Sequence, residues 1–305
     1  MRLAPLLLAL LALPGLAAAE AAAPQAQKPG SALGFDVGKG GSGDKAVQVE
    51  ADQGIEWRQS DHVYIARGNA KVKRGTGTVF ADVITAHYRP TKGAPEKPAA
   101  SSDDPAGGTE IYYVVAEGHV RFATETQTVN GDRAVYDLDQ ATVVVTGKNL
   151  KLETPKDVVT ARDSLEWWDQ KQLAVARGDA TAVREGKRVS ADVLMAEVER
   201  DEKGGQHISR IDAQGNVVLV GKDQVGRGDS AVYNVETGIA TLIGHVKLTR
   251  GDNELRGNYA VVDLNKNIGR LLGAPPSDTL TGGKPQRVEG LIIPKQGNAP
   301  GAPKK

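Results

Sequence analysis

The 305-residue sequence contains no cysteine, so it has no disulfide framework, no thiol chemistry and no thiolate metal site. Net charge is also missing, because 38 Lys and Arg balance 38 Asp and Glu. That balance gives no general argument for nucleic-acid binding, and we predict none. Aromatic residues make up only 4% of the chain, so any apolar interior must be built mainly from aliphatic side chains.

The sequence patterns of enzymes are absent as well. We find no Gly-rich phosphate loop and no nucleophile elbow in the sequence. Two of the histidines, His119 and His245, follow a glycine at equivalent places in a repeat. Equivalent placement indicates a local backbone role and argues against catalysis or metal binding. The prediction is therefore a protein without catalytic activity, metal or cofactor.

What the sequence does contain is a repeat of about 30 residues, marked by two kinds of string. Each string opens with Asp or Gly and has apolar residues at the second and fourth positions after it. The Asp strings begin at Asp82, Asp132, Asp163, Asp192 and Asp229. The Gly strings begin at Gly68, Gly118, Gly178, Gly215 and Gly244, with a displaced copy at Gly147.

Apolar residues at every second position lie on one face of an extended strand. The residues between them, such as Lys71 and Arg121, are polar and predict a water-facing outer side. No sustained helical pattern is present, so the predicted fold is all-β, with one strand pair per repeat. The recurring Gly predicts a bulge in each strand, and the recurring Asp is expected to bond backbone N–H groups there.

A bend at the same height in every strand turns a flat ladder into a trough with an apolar inner face. A simply packed sandwich core is the alternative interpretation. The residues predicted to line the trough are Val72, Ile84, Val120, Phe122, Val145, Leu165, Val175, Leu194, Val217, Leu219, Ile243, Val246 and Leu248.

The ends of the chain differ in composition from its middle. Residues 1–19 have the charged start, apolar run and small-residue end of a cleaved signal peptide. We expect a flexible linker at 20–44, one folded domain at 45–273 with an insertion at about 89–109, and a disordered Pro/Gly-rich tail at 274–305. An open ladder would have edge strands near Val47 to Trp57 and near Leu255 to Leu264.

The Gly strings "ARGNAKVKRG" (66–75) and "AQGNVVLVGK" (213–222), answered by Asp strings such as "FADVITAHY" (80–88), closely resemble the OstA-like family. The resemblance covers roughly residues 46–272. It implies an open-ended, V-shaped β-jellyroll in the periplasm whose interior shields the lipid A acyl chains of lipopolysaccharide. It also implies head-to-tail self-association and contacts with inner-membrane and outer-membrane transport proteins that have similar jellyroll domains.

Other functions remain open on the residues alone. A β-solenoid scaffold or a polysaccharide-binding envelope protein would keep the repeats but fill its interior, leaving no groove for lipid. An enzyme would need one polar cluster in a cleft, and the sequence offers no such cluster.

Overall fold

The computed structural model describes residues 47–91, 109–200, 206–266, 268–274 and 287–292. The predicted signal peptide and linker lie outside the described residues, as do residues 92–108 of the insertion. Most of the predicted tail lies outside them too. In the described ranges, no helix is long and apolar enough to cross a membrane.

The described chain is almost entirely extended, which confirms the all-β prediction. All eighteen strands belong to one antiparallel sheet, and the one helical element in the described ranges is a 3-10 turn at Asp169–Lys171. The strands are β1 (Gln48–Glu50), β2 (Gly54–Arg58), β3 (Val63–Arg74), β4 (Gly77–Pro90), β5 (Thr109–Ala123), β6 (Thr128–Asp137), β7 (Thr142–Thr146), β8 (Leu150–Glu153), β9 (Asp157–Ala161), β10 (Ser164–Trp168), β11 (Leu173–Arg184), β12 (Lys187–Arg200), β13 (Gln206–Val220), β14 (Val225–Asn234), β15 (Ile239–Arg250), β16 (Asn253–Asp263), β17 (Ile268–Leu272) and β18 (Glu289–Leu291).

The sheet is divided into two layers, which we call leaves. Each long strand contributes one half of its length to each leaf. Strand β3, for example, pairs through residues 63–67 with β2 and through residues 71–73 with β1. Leaf 1 contains β2, β7, β10 and β17 with the strand halves that join them. Leaf 2 contains β1, β8, β9 and β18 in the same way. In the described residues the two ends of the ladder do not pair with each other, so the jellyroll is open.

The leaves meet along a line of β-bulges, which we call the spine. The register shifts between Glu117 and Val120, for instance, where Gly118 and His119 lie opposite the single residue Asp132. Both bulge residues are left-handed, with φ of 77° at Gly118 and 47° at His119. A two-against-one bulge bends a strand and increases its twist. The predicted bend is therefore confirmed at Gly68, Gly118, Gly178, Gly215 and Gly244, and its repetition folds the sheet into a V. At the displaced copy, Gly147, the chain instead leaves β7 and enters β8.

The recurring Asp side chains lie on this spine, as predicted, but their partners are mostly side chains. His119 Nδ1 lies 2.9 Å from Asp82 Oδ2, and His245 Nδ1 lies 2.8 Å from Asp229 Oδ2. Backbone N–H bonding occurs at Lys148, which donates to an Asp132 oxygen at 2.7 Å. At four bulges the left-handed residue after Gly, which is Asn69, His119, Asn216 or His245, turns its own polar group toward the Asp, which explains the difference.

Two expectations about the C-terminal end need correction. The predicted edge at Leu255 to Leu264 is not an edge, because β17 pairs with residues 259–263 of β16 and β18 pairs with residues 254–256. The tail predicted to be disordered thus contributes a strand, Glu289–Leu291, to leaf 2. The short stretch from Val288 to Ile292 lies between Pro-rich segments. Those segments dominate the composition of the tail, and the prediction of disorder was based on that composition.

Candidate functional site

A cavity of about 1940 Å³ lies between the inner faces of the two leaves. It is lined on leaf 1 by residues such as Ile84 and Leu194, and on leaf 2 by residues such as Val72 and Leu219. The alternation of the strands explains this lining, because inward residues recur at every second position and outward residues face water. The cavity is therefore an extended groove with an aliphatic floor.

Most residues predicted for the trough are at the groove surface. The predicted residues that line it are Val72, Ile84, Val120, Phe122, Val145, Leu165, Val175, Leu194 and Leu219. Val217 and Val246 face inward but are 1% exposed and lie in the packed core, and Leu248 packs against that core.

Ile243 is the one predicted trough residue that faces outward. Its neighbour Leu242 is fully buried whereas Ile243 is 40% exposed, so strand alternation directs Ile243 to the outer surface. At the left-handed pair Gly244 and His245 the register with β16 shifts, but the inward face of β15 stays on even-numbered residues such as Leu242 and Val246. Ile243 is out of step with these residues, so strict alternation along β15 favours Leu242, and the prediction of Ile243 was wrong.

The sequence interpretation missed several groove residues. These are inward residues on the weaker or irregular strings, and they include Val79, Val114, Val129, Val143, Leu152, Val159, Trp167, Ile211 and Tyr233. Most could have been found by extending the same alternation to the strand partners of the predicted residues. Val129, for example, pairs with Phe122, and Val143 lies two residues before Val145.

The groove is polar at its rims. On leaf 1, Arg89 makes hydrogen bonds to both carboxylate oxygens of Asp139 at 2.7 and 2.8 Å and to Glu110 at 2.7 Å. These bonds raise the pKa of the Arg89 guanidinium. On leaf 2, Arg184 makes hydrogen bonds to both oxygens of Asp157, and its pKa is raised for the same reason. An apolar floor with charged rims suits an amphipathic ligand.

One group of side chains has the composition of a metal site. Glu199, His207 and Glu236 bring one ligand atom each within 4.8 Å of one another, and no other such group occurs in the described part of the chain. All three are exposed at the leaf 1 rim. Exposed acidic groups of this kind are common without a metal, and we assign none here.

The fold and site together define an all-β protein with an open, two-leaved β-jellyroll and an apolar groove. The family model for the "LptA/(LptD N-terminal domain) LPS transport protein" matches residues 48–163 and again residues 160–268. The chain therefore belongs to this lipopolysaccharide-transport family and contains its domain twice in tandem.

Individual relatives cover less of the chain. An uncharacterized protein of Rhizobium meliloti (strain 1021) is 28% identical over 117 residues, which is 38% of this chain and 58% of that protein. The crystal structure of LptH from Pseudomonas aeruginosa, described as the LptA-homologous periplasmic component of the lipopolysaccharide transport device, matches with 23% identity and a TM-score of 0.37. That match covers 45% of this chain and 95% of LptH.

Proposed function

We propose that this protein is a periplasmic component of lipopolysaccharide transport that holds lipid A acyl chains in its groove. The observation that carries the proposal is the cavity of about 1940 Å³, with an aliphatic floor and charged rims, in a member of this family. The chains would lie on the floor while the polar head groups face the rims and the solvent. No catalytic chemistry is required for such a role.

The energetics favour binding without chemistry. Removing a methylene from water is worth about 0.8 kcal/mol, so burying about ten methylenes gives roughly 8 kcal/mol before the costs of ordering. Floor residues such as Val120 and Leu165 are already arranged on strands, so little of the protein must be ordered when a chain binds. A groove of this kind can offset much of the cost of taking an acyl chain out of a membrane.

We further propose that copies join head to tail to form a bridge toward inner-membrane and outer-membrane partners. Each end of the ladder has one short edge strand per leaf, β2 and β1 at one end and β17 and β18 at the other. Unpaired strand edges are templates for pairing with another chain. Apolar residues are exposed on all four strands, including Val49, Ile55, Ile268 and Leu291.

The directions of the strands suit this joining. Both leaves contain fourteen antiparallel segments from one edge to the other. An even number leaves β17 opposite in direction to β2, and β18 opposite to β1, so a second copy would continue both leaves in antiparallel pairing. At about 4.8 Å per strand, one copy would add roughly 67 Å to a bridge.

The middle of the chain already contains a comparable junction. There, β7 pairs with β10 on leaf 1, and β8 pairs with β9 on leaf 2. The two family matches overlap at residues 160–163, which cover the end of β9 and the break before β10. The groove runs through this junction, since Val143, Val159 and Trp167 line it. A contact between β17/β18 and β2/β1 would repeat the same arrangement between two molecules.

Charged substitutions in the groove test the lipid proposal. With a photoreactive residue at Val120, lipopolysaccharide should crosslink to the wild-type background, and Phe122→Asp or Leu219→Asp should abolish the crosslink. Ile243→Asp is the matched control, because it makes the same kind of change on the outer face and should leave crosslinking intact. Undiminished crosslinking in both folded groove variants would refute the groove assignment.

The alternative of a filled β-solenoid scaffold predicts no internal space. The cavity supports the groove over that alternative, and a polysaccharide ligand is a poor match for an aliphatic floor. Binding of a lipid-free polysaccharide with an affinity equal to that of whole lipopolysaccharide would favour the alternative.

A further inference from the structure

The groove has unequal ends. At the β1/β2 end, Val49 and Ile55 line it and are 38% and 55% exposed, so this end is open. Beyond Val235, the only described residues in the lining are Leu264 and Asn265, at the rim of leaf 1. The floor of the groove therefore stops near β14, before the ladder ends.

Leucines from one leaf block the floor by packing on glycines of the other leaf. Leu242 on leaf 1 is fully buried. A methyl group added at Gly226 on leaf 2 would lie 3.0 Å from Leu242 Cδ1 and 3.4 Å from Leu248 Cδ2. One added at Gly228 would lie 3.4 Å from Leu242 Cδ2. The Leu242 side chain thus fills the space that a side chain on leaf 2 would otherwise occupy.

The same arrangement recurs one strand pair further along. A methyl group at Gly257 on leaf 2 would lie 3.0 to 3.2 Å from three carbons of Leu271 on leaf 1. The leaves also pack with the roles exchanged, because a methyl group added at Gly269 on leaf 1 would lie 3.4 Å from Leu248 Cδ1 on leaf 2. We call Leu242, Leu248 and Leu271 the leucine plug. Val217 and Val246 are buried because they lie next to Gly228 and Gly257, under this plug.

We propose that the leucine plug is a closed gate at the C-terminal end of the groove. It stops acyl chains short of the β17/β18 edge, and it has to part before a chain can reach that edge. The inference rests on the proposed lipid-binding function. The junction in the middle of the chain supports it, because that junction has the same pattern of split strands but leaves the groove open, so closure is specific to the C-terminal end.

The physical basis of a gate is present in the contacts. The plug joins the leaves through carbon–carbon packing, which an acyl chain can replace with contacts of the same kind. The bend between the leaves on β15 is the left-handed pair Gly244 and His245, so a small change of backbone angle there would separate Leu242 from Gly226. Gating of this kind requires no charged or hydrogen-bonded contact to break at the plug.

Photolabelling of the full chain tests the gate. The probe is palmitic acid with a diazirine near its methyl end, and labelled residues are located by mass spectrometry. In the wild type, we expect labels around Phe122 and at least tenfold fewer at Ala260 and Val262, which lie on β16, behind Leu242 as seen from the groove. In Leu242→Ala and in Leu248→Ala, labels should appear at Ala260 and Val262. Leu248→Ala keeps the test valid if Leu242→Ala fails to fold, because Leu248 is only partly buried.

Leu150→Ala is the matched control, since Leu150 is 1% exposed and does not line the groove. It should leave the label distribution unchanged. Equal labelling of Phe122 and Val262 in the wild type would overturn the gate, as would unchanged labelling in both plug variants. A wild type labelled at neither end would refute the lipid groove itself, and the gate with it.

Discussion

Replacing Gly178 on the spine with alanine should destabilise the protein more than the loss of a glycine normally does. Gly178 has φ of 82°, in the left-handed region, and the added Cβ would lie 2.5 Å from Asp163 Cγ. Two separate effects therefore oppose the substitution. One is the backbone angle, and the other is displacement of a carboxylate that is bonded to Arg162.

The chain offers a position that isolates the first effect. Gly186 has φ of 77°, and an added Cβ would meet nothing within 4 Å. Gly186→Ala should cost only the left-handed conformation, about 1 kcal/mol. Gly178→Ala should cost about 2–3 kcal/mol, because the clash adds to the same backbone strain. For a domain of this size, that difference of about 1–2 kcal/mol corresponds to a Tm about 2–8 °C lower for Gly178→Ala than for Gly186→Ala.

Thermal unfolding and urea titration of both variants measure the difference. In a double-mutant cycle, Asp163→Ala should recover part of the loss in Gly178→Ala and none in Gly186→Ala, because only the first pair is in contact. Equal losses for the two glycine variants, or no coupling with Asp163, would show that the spine is not packed as described.

Three further predictions concern stability and assembly. Burial opposes ionisation of Glu166, but hydrogen bonds from Arg177, Ser164 and Trp168 hold its pKa below its usual value. The resulting stabilisation of the folded state is present above about pH 4.3 and is lost as the pH falls. Acid unfolding should therefore be less steep in Glu166→Gln than in the wild type, and identical pH profiles of the two proteins would contradict this prediction. Ala240 is fully buried, so Ala240→Leu should lower the unfolding free energy in urea by about 1–3 kcal/mol, whereas no change would indicate free space there. Truncation before residue 287 removes β18, so sedimentation should show weaker self-association than for the full chain, and equal association would exclude β18 from the contact.

Local sequence patterns predicted the architecture because the alternation and the bulges are properties of single strands. The apolar residues after Asp82 and Gly118 mark the inner face, and each repeated Gly marks a bend. The edge of the sheet was less predictable, since β18 is a three-residue strand separated from β17 by residues that resemble a tail. Short strands are recognised through their partner, here Glu254 to Arg256, and the partner is not visible in a local pattern.

The limits of the groove depend on contacts between the leaves. Whether Val217 lines a groove or lies in a core depends on Leu242 reaching Gly228 from the other leaf. Val120 occupies the equivalent position after its Gly and does line the groove. The two sites have the same local pattern and differ in what faces them, so alternation alone cannot separate them.

The central claim is that the groove holds lipid A acyl chains, and the most direct test is mass spectrometry of lipid that copurifies with the protein from its native envelope. We expect lipopolysaccharide with the wild type and with Ile243→Asp, and its loss from folded Phe122→Asp. Wild-type protein that carries no lipid, or Phe122→Asp that carries as much lipopolysaccharide as the wild type, would contradict the account.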